Sequence, residues 1–200
     1  MGLANVQERD IRSRENRLFF RRWLANPTRL GTLAPITPRL AALAASLLKN
    51  PAQQRIVEIG AGTGRLTRAL LAAGVLPENL IVVELDPDLC DFLSKSLPAL
   101  TVINGDAACL PDLLPSGWSG AVTTVVSVVP LMYLDKRVRS NIINACFDVM
   151  QPDGTILHVT YSPKSPLSKF SNCYGVREGS LWANVPPGFV WRYHKQNTHS

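Results

Sequence analysis

The sequence predicts an α/β fold, a seven-stranded and mostly parallel sheet that has helices on both faces and ends in an antiparallel strand pair. Three observations predict it. Apolar strand-like runs alternate with single helical stretches from residue 55 onward, which is typical of βαβ units. The run at 121–129 is rich in valine and nearly all apolar, as in a parallel strand covered on both faces. With 46% hydrophobic and 18% charged residues, the 200-residue chain can fill one core.

The elements follow in chain order. Strands are predicted over 55–60, 80–85, 100–103, 121–129 and 155–161, and helices over 65–73, 89–97 and 137–150. Two aromatic-rich runs, 180–184 and 189–194, flank a Pro-Pro-Gly turn and predict the antiparallel pair at a sheet edge. Before the first strand, Thr37-Pro38 predicts an N-cap followed by proline at the first helical position, and therefore a helix over 39–48.

Charge divides the chain into two parts. Residues 1–50 contain nine basic and three acidic residues, a net charge of +6, whereas residues 51–200 are neutral with twelve of each. A basic head on a neutral body predicts an anionic partner, either phospholipid or nucleic acid. We therefore divide the chain into a basic N-terminal segment, 1–50, and a folded domain, 51–200.

Several protein classes are not indicated. No apolar run approaches the ~18–20 residues of a membrane span, and the N-terminus lacks the pattern of a signal peptide, so a cytoplasmic protein is expected. The four cysteines contain no C-x-x-C pair, and the three histidines cluster neither with them nor with carboxylates. No metal site is predicted.

A glycine-rich loop is the sharpest local signal. Gly60, Gly62 and Gly64 close the first predicted strand and open a helix, so backbone amides can approach a ligand at a helix N-terminus. A dinucleotide-binding G-x-G-x-x-G would place its third glycine at position 65, where Arg65 stands, so a nicotinamide cofactor is disfavoured. Glu58, two residues before the loop, suits a cationic ligand better than a pyrophosphate.

Two further acids follow the next two strands. Glu84 ends the second strand, where α/β nucleotide-binding folds place an acid that accepts hydrogen bonds from ribose hydroxyls. Asp106 follows the third strand in Gly105-Asp106-Ala107, where it can meet an adenine amine. Three acids at the carboxyl ends of successive strands, together with the glycines, indicate a nucleoside-containing ligand with a positive charge.

From residue 55 to 195 these motifs resemble the class I methyltransferases, Rossmann-like enzymes that use S-adenosylmethionine. The resemblance implies that Glu58, Gly60, Gly62 and Gly64 hold the methionine end of this cofactor, Glu84 the ribose, and Asp106 with Ala107 the adenine. Ala61, Leu85 and Ser127 complete the predicted cofactor-binding set.

Further segments resemble the bacterial phospholipid N-methyltransferases. They are FFRRW at 19–23, NP at 26–27, GTLAP at 31–35, the loop from Ser127 to Leu131, VTYS at 159–162 and NVPPGFVW at 184–191. Val128 and Val129 depart from the S-G-L-P pattern of that family. The resemblance implies an enzyme that methylates phosphatidylethanolamine, and its mono- and dimethyl derivatives, towards phosphatidylcholine at a membrane surface.

The basic head fits such a surface. At ~100° per residue, an arc of about 140° flanked by arginines holds Phe19, Phe20, Trp23 and Leu24, as in an amphipathic helix lying on anionic lipid. The residues predicted to contact the membrane are Arg14, Arg17, Phe19, Arg21, Arg22 and Trp23. A monomer bound peripherally to the inner face of the cytoplasmic membrane is expected. Packing of this helix on its own domain, or RNA binding by its arginines, are the alternatives.

Acceptor-side residues are carried over from the same resemblance. Tyr161 and Ser127 are expected near the reacting amine and Pro130 is expected to shape the loop, which makes these three the candidate catalytic residues. Tyr174 and Arg177 are candidates for the lipid phosphate, since an arginine fork matches phosphate oxygens. The amine must lose a proton, to Tyr161 or to water, and residues 31–36 form a candidate lid.

An adenine N-methyltransferase of ribosomal RNA or another nucleic acid is the alternative function. Its cofactor site would be the same, and the basic head would bind phosphates. Such enzymes hydrogen-bond and stack an extruded base with an amide or acid and an aromatic ring after strand four. This chain has Ser127 and Leu131 there, so nucleic acid is not expected as the substrate.

Overall fold

The computed structural model describes residues 36–168, 170 and 172–196. Five α-helices are described, α1 (Pro38–Ser46), α2 (Arg65–Ala72), α3 (Pro87–Ser96), α4 (Leu110–Leu113) and α5 (Lys136–Val149). The strands are β1 (Ile56–Ile59), β2 (Leu80–Glu84), β3 (Thr101–Asn104), β4 (Val122–Ser127), β5 (Met150–Thr160), β6 (Cys173–Leu181) and β7 (Gly188–Lys195). Single 3₁₀ turns lie at Pro51–Gln53, Pro77–Asn79, Ala107–Cys109 and Leu131–Tyr133.

All seven strands form one sheet in the order β3-β2-β1-β4-β5-β7-β6. Strands β1 to β5 are parallel, and β7 lies antiparallel between β5 and β6. This confirms the predicted fold class. The strand order reverses between β1 and β4, and in open α/β sheets ligands bind at the carboxyl ends of the strands beside such a switch point.

The core has one layer on each face of the sheet. Helices α1, α2 and α3 pack on one face, the α1 face, and α4 and α5 pack on the other, the α5 face. Strand β4 supplies both layers, because Val125 contributes to the α5 face and Val126 to the α1 face. The prediction of a central fourth strand covered on both sides is confirmed.

The predicted start of the first helix is also confirmed. Thr37 is the N-cap of α1, its hydroxyl accepts a hydrogen bond from the Leu40 amide at 3.3 Å, and Pro38 follows it. Leu40 and Ala44 are fully buried in the core of the α1 face. Residues 38–48 therefore pack with the strands, and the boundary at residue 50 stays a prediction. The predicted amphipathic helix of the basic head lies outside the described residues.

Two strands have a boundary more than two residues from the predicted one. Strand β6 was predicted over 180–184, but it begins at Cys173 and ends at Leu181. Its residues are mostly exposed along the sheet edge, so they lack the apolar alternation that marks a strand. Strand β5 was predicted to begin at residue 155, but it begins at Met150, directly after α5. Pro152-Asp153-Gly154 therefore lies within the strand, where the pairing with β4 shifts register between Val122 and Thr124. Among the described helices, none is long and apolar enough to cross a membrane.

Candidate functional site

The glycine loop joins β1 to α2 at the switch point. Gly60, Gly62 and Gly64 all have positive φ, at +72°, +59° and +77°. The loop is tied to the next strand because the Gly60 amide donates to the Val83 carbonyl at 2.9 Å. A Cβ atom on Gly60 would lie 2.8 Å from Cγ2 of Val129, whereas one on Gly62 would meet no described atom within 4 Å. The loop is therefore packed behind Gly60 and open at Gly62, where a ligand can approach the backbone.

Glu84 holds this loop in place. Its Oε2 accepts a hydrogen bond from the Gly62 amide at 2.8 Å, and its Oε1 accepts one from the Asp86 amide at 3.0 Å. The carboxylate is fully buried, and burial raises its pKa. The sequence predicted a ribose acceptor here but not the bond to the glycine loop. Each oxygen still has a lone pair for a ribose hydroxyl, so the two roles are compatible.

Glu58 is a buried carboxylate without hydrogen-bond partners among the described residues. Burial, and secondarily the charge of Glu84, raise its pKa from 4.5 to about 8. The neighbouring Thr67 lowers the pKa in part, but its hydroxyl does not reach hydrogen-bonding geometry with the carboxylate. A cation placed next to this carboxyl would favour its ionised form, which fits the sequence prediction that Glu58 holds the methionine end of the cofactor.

Replacing Glu58 with glutamine is expected to reduce the pH dependence of stability. The folded-state pKa lies above the unfolded value of 4.5, so the stabilisation is present below pH ~4.5 and is lost as pH rises through about 8. We expect the free energy of unfolding of the cofactor-free protein to fall by about 2 kcal/mol between pH 6 and pH 8. Glutamine has no charge to lose, so Glu58→Gln should show a smaller fall in urea unfolding. Glu78→Gln, at an exposed glutamate, is the control, and an undiminished fall in Glu58→Gln would contradict the assignment.

A cleft on the α5 side of the switch point brings together four of the predicted cofactor residues. Its walls include Gly60, Leu85, Asp106 and Ala107. Asp106 accepts a hydrogen bond from the Ala108 amide at 3.0 Å and so caps the turn Ala107–Cys109. Apolar side chains that the sequence prediction missed complete the walls, namely Val83, Val129, Leu134, Val138 and Ile142. An apolar slot with one carboxylate at its edge fits a flat base that carries an amine.

Ser127 and Pro130 shape the loop after β4. Ser127 is 1% exposed, its hydroxyl accepts a hydrogen bond from the Val129 amide, and it lies 3.3 Å from Nδ1 of His158. Burial lowers the pKa of His158 to about 3, so this imidazole is neutral at physiological pH. Pro130 is buried and precedes the turn Leu131–Tyr133. These contacts support positioning roles, and direct contact of Ser127 with cofactor or acceptor stays a prediction.

Tyr161 follows β5 at the same end of the sheet. Burial raises the pKa of this half-buried phenol, while Asn184 and the Thr37 backbone lower it in part. A phenol with a raised pKa is protonated at neutral pH, which disfavours Tyr161 as the proton acceptor and leaves water for that step. Asn184 is only 7% exposed, and sequence analysis missed it because it assigned this residue to a strand.

The structure separates the two residues predicted to bind the lipid phosphate. Tyr174 pairs with His194, which in turn pairs with Thr155 near the start of β5, so Tyr174 lies at the end of the sheet away from the cofactor loop. Tyr174 stacks on His194 with ring centroids 5.1 Å apart. Contact of Tyr174 with the lipid phosphate stays a prediction, but β6 begins seven residues earlier than predicted and places this residue away from the cofactor loop. Arg177 lies 5.7 Å from the ring centroid of Phe189, which is nearer the correct end.

The remaining predicted residues lie outside the described chain. These are Arg14, Arg17, Phe19, Arg21, Arg22 and Trp23 of the head and residues 31–35 of the candidate lid. The first described residue, Ile36, accepts a hydrogen bond through its carbonyl from Nη1 of Arg65 at 3.0 Å. Within the described ranges, no group of three or more His, Cys, Asp or Glu residues is placed to hold a metal ion.

Comparisons with known proteins agree with this site. Residues 56–154 match the family model described as "Methyltransferase domain". The chain is 28% identical over 150 residues to the ornithine lipid N-methyltransferase of Singulisphaera acidiphila. This match covers 73% of this chain and 78% of that protein. It is 46% identical over 59 residues to a ribosomal RNA small subunit methyltransferase A of Synechococcus, 28% of this chain and 20% of that protein.

The fold is similar to that of a TehB-like SAM-dependent methyltransferase from Corynebacterium glutamicum. The TM-score is 0.57 at 15% identity, and the match covers 94% of this chain and 100% of that one. The family match, together with the cofactor motifs, indicates S-adenosylmethionine as the cofactor, and the structural neighbours, all below 20% identity, show the fold. Three features of the site fit this cofactor. The buried Glu58 carboxyl suits its positively charged methionine end, and the open face of Gly62 lets it approach the loop backbone. The apolar cleft beside Asp106 suits its adenine.

Proposed function

We propose that this chain, a methyltransferase dependent on S-adenosylmethionine, N-methylates the amine of phosphatidylethanolamine or a related aminolipid at an anionic membrane surface. The match to an ornithine lipid N-methyltransferase is the observation that carries the proposal. Its 150 residues are more than residues 56–154 contain, so the match includes sequence outside the cofactor-binding part. The basic head, whose net charge of +6 equals that of the whole chain, supports an anionic surface.

The chemistry needs alignment more than acid–base catalysis. The cofactor supplies an electrophilic methyl group, the amine nitrogen forms the new N–C bond as the S–C bond breaks, and one proton leaves the nitrogen. The protein must hold the amine in line and exclude bulk water. Tyr161 and Asn184 lie at the carboxyl end of β5 as polar groups that can orient an amine, and the phenol remains protonated. We propose that water takes the proton, which the ammonium must lose before its nitrogen can attack the methyl group.

The proposed function is tested with the full chain and methyl-labelled S-adenosylmethionine. Three substrates are offered in parallel: phosphatidylethanolamine vesicles, ornithine lipid vesicles and total ribosomal RNA. Each type of vesicle is prepared with and without anionic lipid. We expect label in the lipid fraction, more of it with anionic lipid, and less after removal of residues 1–24. Label in RNA with none in either lipid would overturn the proposal.

Methylation of ribosomal RNA is the second candidate, favoured by the 46% identity to the ribosomal RNA methyltransferase. That match spans 59 residues, which is less than the cofactor-binding part alone. RNA binding by the head should weaken steeply with salt, because counterions are released from each phosphate that is contacted.

A further inference from the structure

The turn between β6 and β7 carries two strongly exposed apolar side chains. Trp182 is 68% exposed and Val185 is 91% exposed. The turn includes the first four residues of the NVPPGFVW segment, and of these only Asn184 has a part in the proposed methyl transfer. We refer to residues 182–187 as the tip.

The tip is tied to the folded domain by hydrogen bonds and ring packing. Asn184, at its centre, accepts a hydrogen bond from the Thr37 hydroxyl at 2.7 Å and donates one to the Pro186 carbonyl at 2.7 Å. The Trp182 ring packs edge-on against Phe189 with centroids 5.5 Å apart. These contacts anchor the turn at a buried polar group and a buried ring, while Trp182 and Val185 face solvent.

The tip lies at the cofactor end of the sheet. Gly188 pairs with Leu181 at the base of the turn, and Phe189 pairs with Thr160 at the end of β5. Strand β5 is parallel to β1, whose carboxyl end carries the glycine loop. Asn184 also neighbours Tyr161. A surface that the tip contacts is therefore brought to the mouth of the acceptor site.

The tip has an exposed basic neighbour. The Arg177 guanidinium lies 5.7 Å from the centroid of the Phe189 ring, against which Trp182 also packs. The adjacent acid is neutralised within the fold, because Oε1 of Glu178 lies 2.8 Å from Nε of Arg192. An exposed tryptophan beside an exposed arginine suits the interface of an anionic bilayer, where an indole ring sits at headgroup level and a cation gains about 1 kcal/mol.

We propose that the tip is a membrane-contacting surface, in which Trp182 and Val185 enter the interface of an anionic phospholipid bilayer and hold the mouth of the acceptor site against it. The proposal deepens the proposed function and rests on it for the lipid substrate. The proposal does not depend on the basic head, because residues 182–187 all lie within the described part of the chain. A second copy of the chain fits less well, since a stable dimer buries about 800 Å² per partner and two side chains supply little of that.

The test measures binding of the full chain to sedimented vesicles of phosphatidylethanolamine and phosphatidylglycerol, without turnover. Val185→Asp is expected to weaken binding about tenfold, and Trp182→Ala, which adds no charge, is expected to weaken it severalfold. Leu76→Asp is the matched control, because Leu76 is 40% exposed and lies before β2 at the opposite end of the sheet. Each variant is checked for unchanged affinity for S-adenosylhomocysteine, which reports an intact fold and cofactor site.

Vesicle binding by Val185→Asp and Trp182→Ala equal to that of Leu76→Asp would overturn the proposal. So would a change from dimer to monomer in sedimentation velocity, which would assign the tip to a second copy, or a selective loss of RNA binding. These results can be separated from failure of the proposed function. Methylation of aminolipid with tip variants that bind vesicles normally would keep the function and remove the surface, whereas tip-dependent vesicle binding without methylation of any aminolipid would do the reverse.

Discussion

Replacing Gly62 with alanine is expected to weaken the binding of S-adenosylmethionine about a hundredfold, equivalent to about 2.7 kcal/mol. Gly62 has φ of +59°, and a Cβ atom there would point into space that holds no described atom within 4 Å. That space lies on the open side of the loop, where the cofactor must approach the backbone. The methyl group would hold the cofactor away from the loop at the residue whose amide donates to Glu84 Oε2 at 2.8 Å.

Gly117 provides a matched control for backbone strain. It has φ of +81°, and a Cβ atom on it would also meet no described atom within 4 Å, but it precedes β4 at the opposite end of the sheet. Both alanine variants should lose about 1–2 kcal/mol of stability from the left-handed backbone. Only Gly62→Ala should lose cofactor affinity in titration calorimetry. Equal affinities in the two variants would show that the open side of Gly62 is not where the cofactor lies.

The cofactor half of the fold could be predicted from local sequence because its signals are local. Thr37 caps a helix, the three glycines take positive φ, and the valine-rich run becomes the central strand β4. Each of these features depends on residues within a few positions of one another, so a short stretch of sequence determines it.

The acceptor half was predicted less well, because its contacts join residues far apart in the chain. Asn184 bonds to Thr37 across 147 positions, and no local pattern marks it as buried. The start of β6 was predicted seven residues too late, because an exposed edge strand carries no hydrophobic alternation to place that start. The role of Glu84 was predicted only in part, since its bond to Gly62 depends on how β2 pairs with β1.

Glutamine at position 84 is expected to destabilise the protein and to reduce cofactor binding together. The two carboxylate oxygens accept from two backbone amides, those of Gly62 and Asp86. A glutamine has one oxygen, so its NH₂ group must face one of these N–H groups. Leaving one buried amide without an acceptor costs about 1–3 kcal/mol, and we expect a loss of that size in urea unfolding. Affinity for S-adenosylhomocysteine should fall at least tenfold, because the loop loses its anchor and the ribose loses an acceptor.

The same substitution at Glu78 separates this effect from a general loss of negative charge. Glu78 is exposed and lies just before β2. Glu78→Gln should therefore leave the free energy of unfolding within about 0.5 kcal/mol, and the cofactor affinity within about twofold, of the parent protein. Substituting Asp at position 84 keeps the charge but shortens the side chain by one methylene, so it cannot reach both amides. If Glu84→Asp retained full affinity while Glu84→Gln lost it, charge alone would explain the cofactor site. If both lost it, the reach of the Glu84 side chain to the glycine loop is what holds the site together.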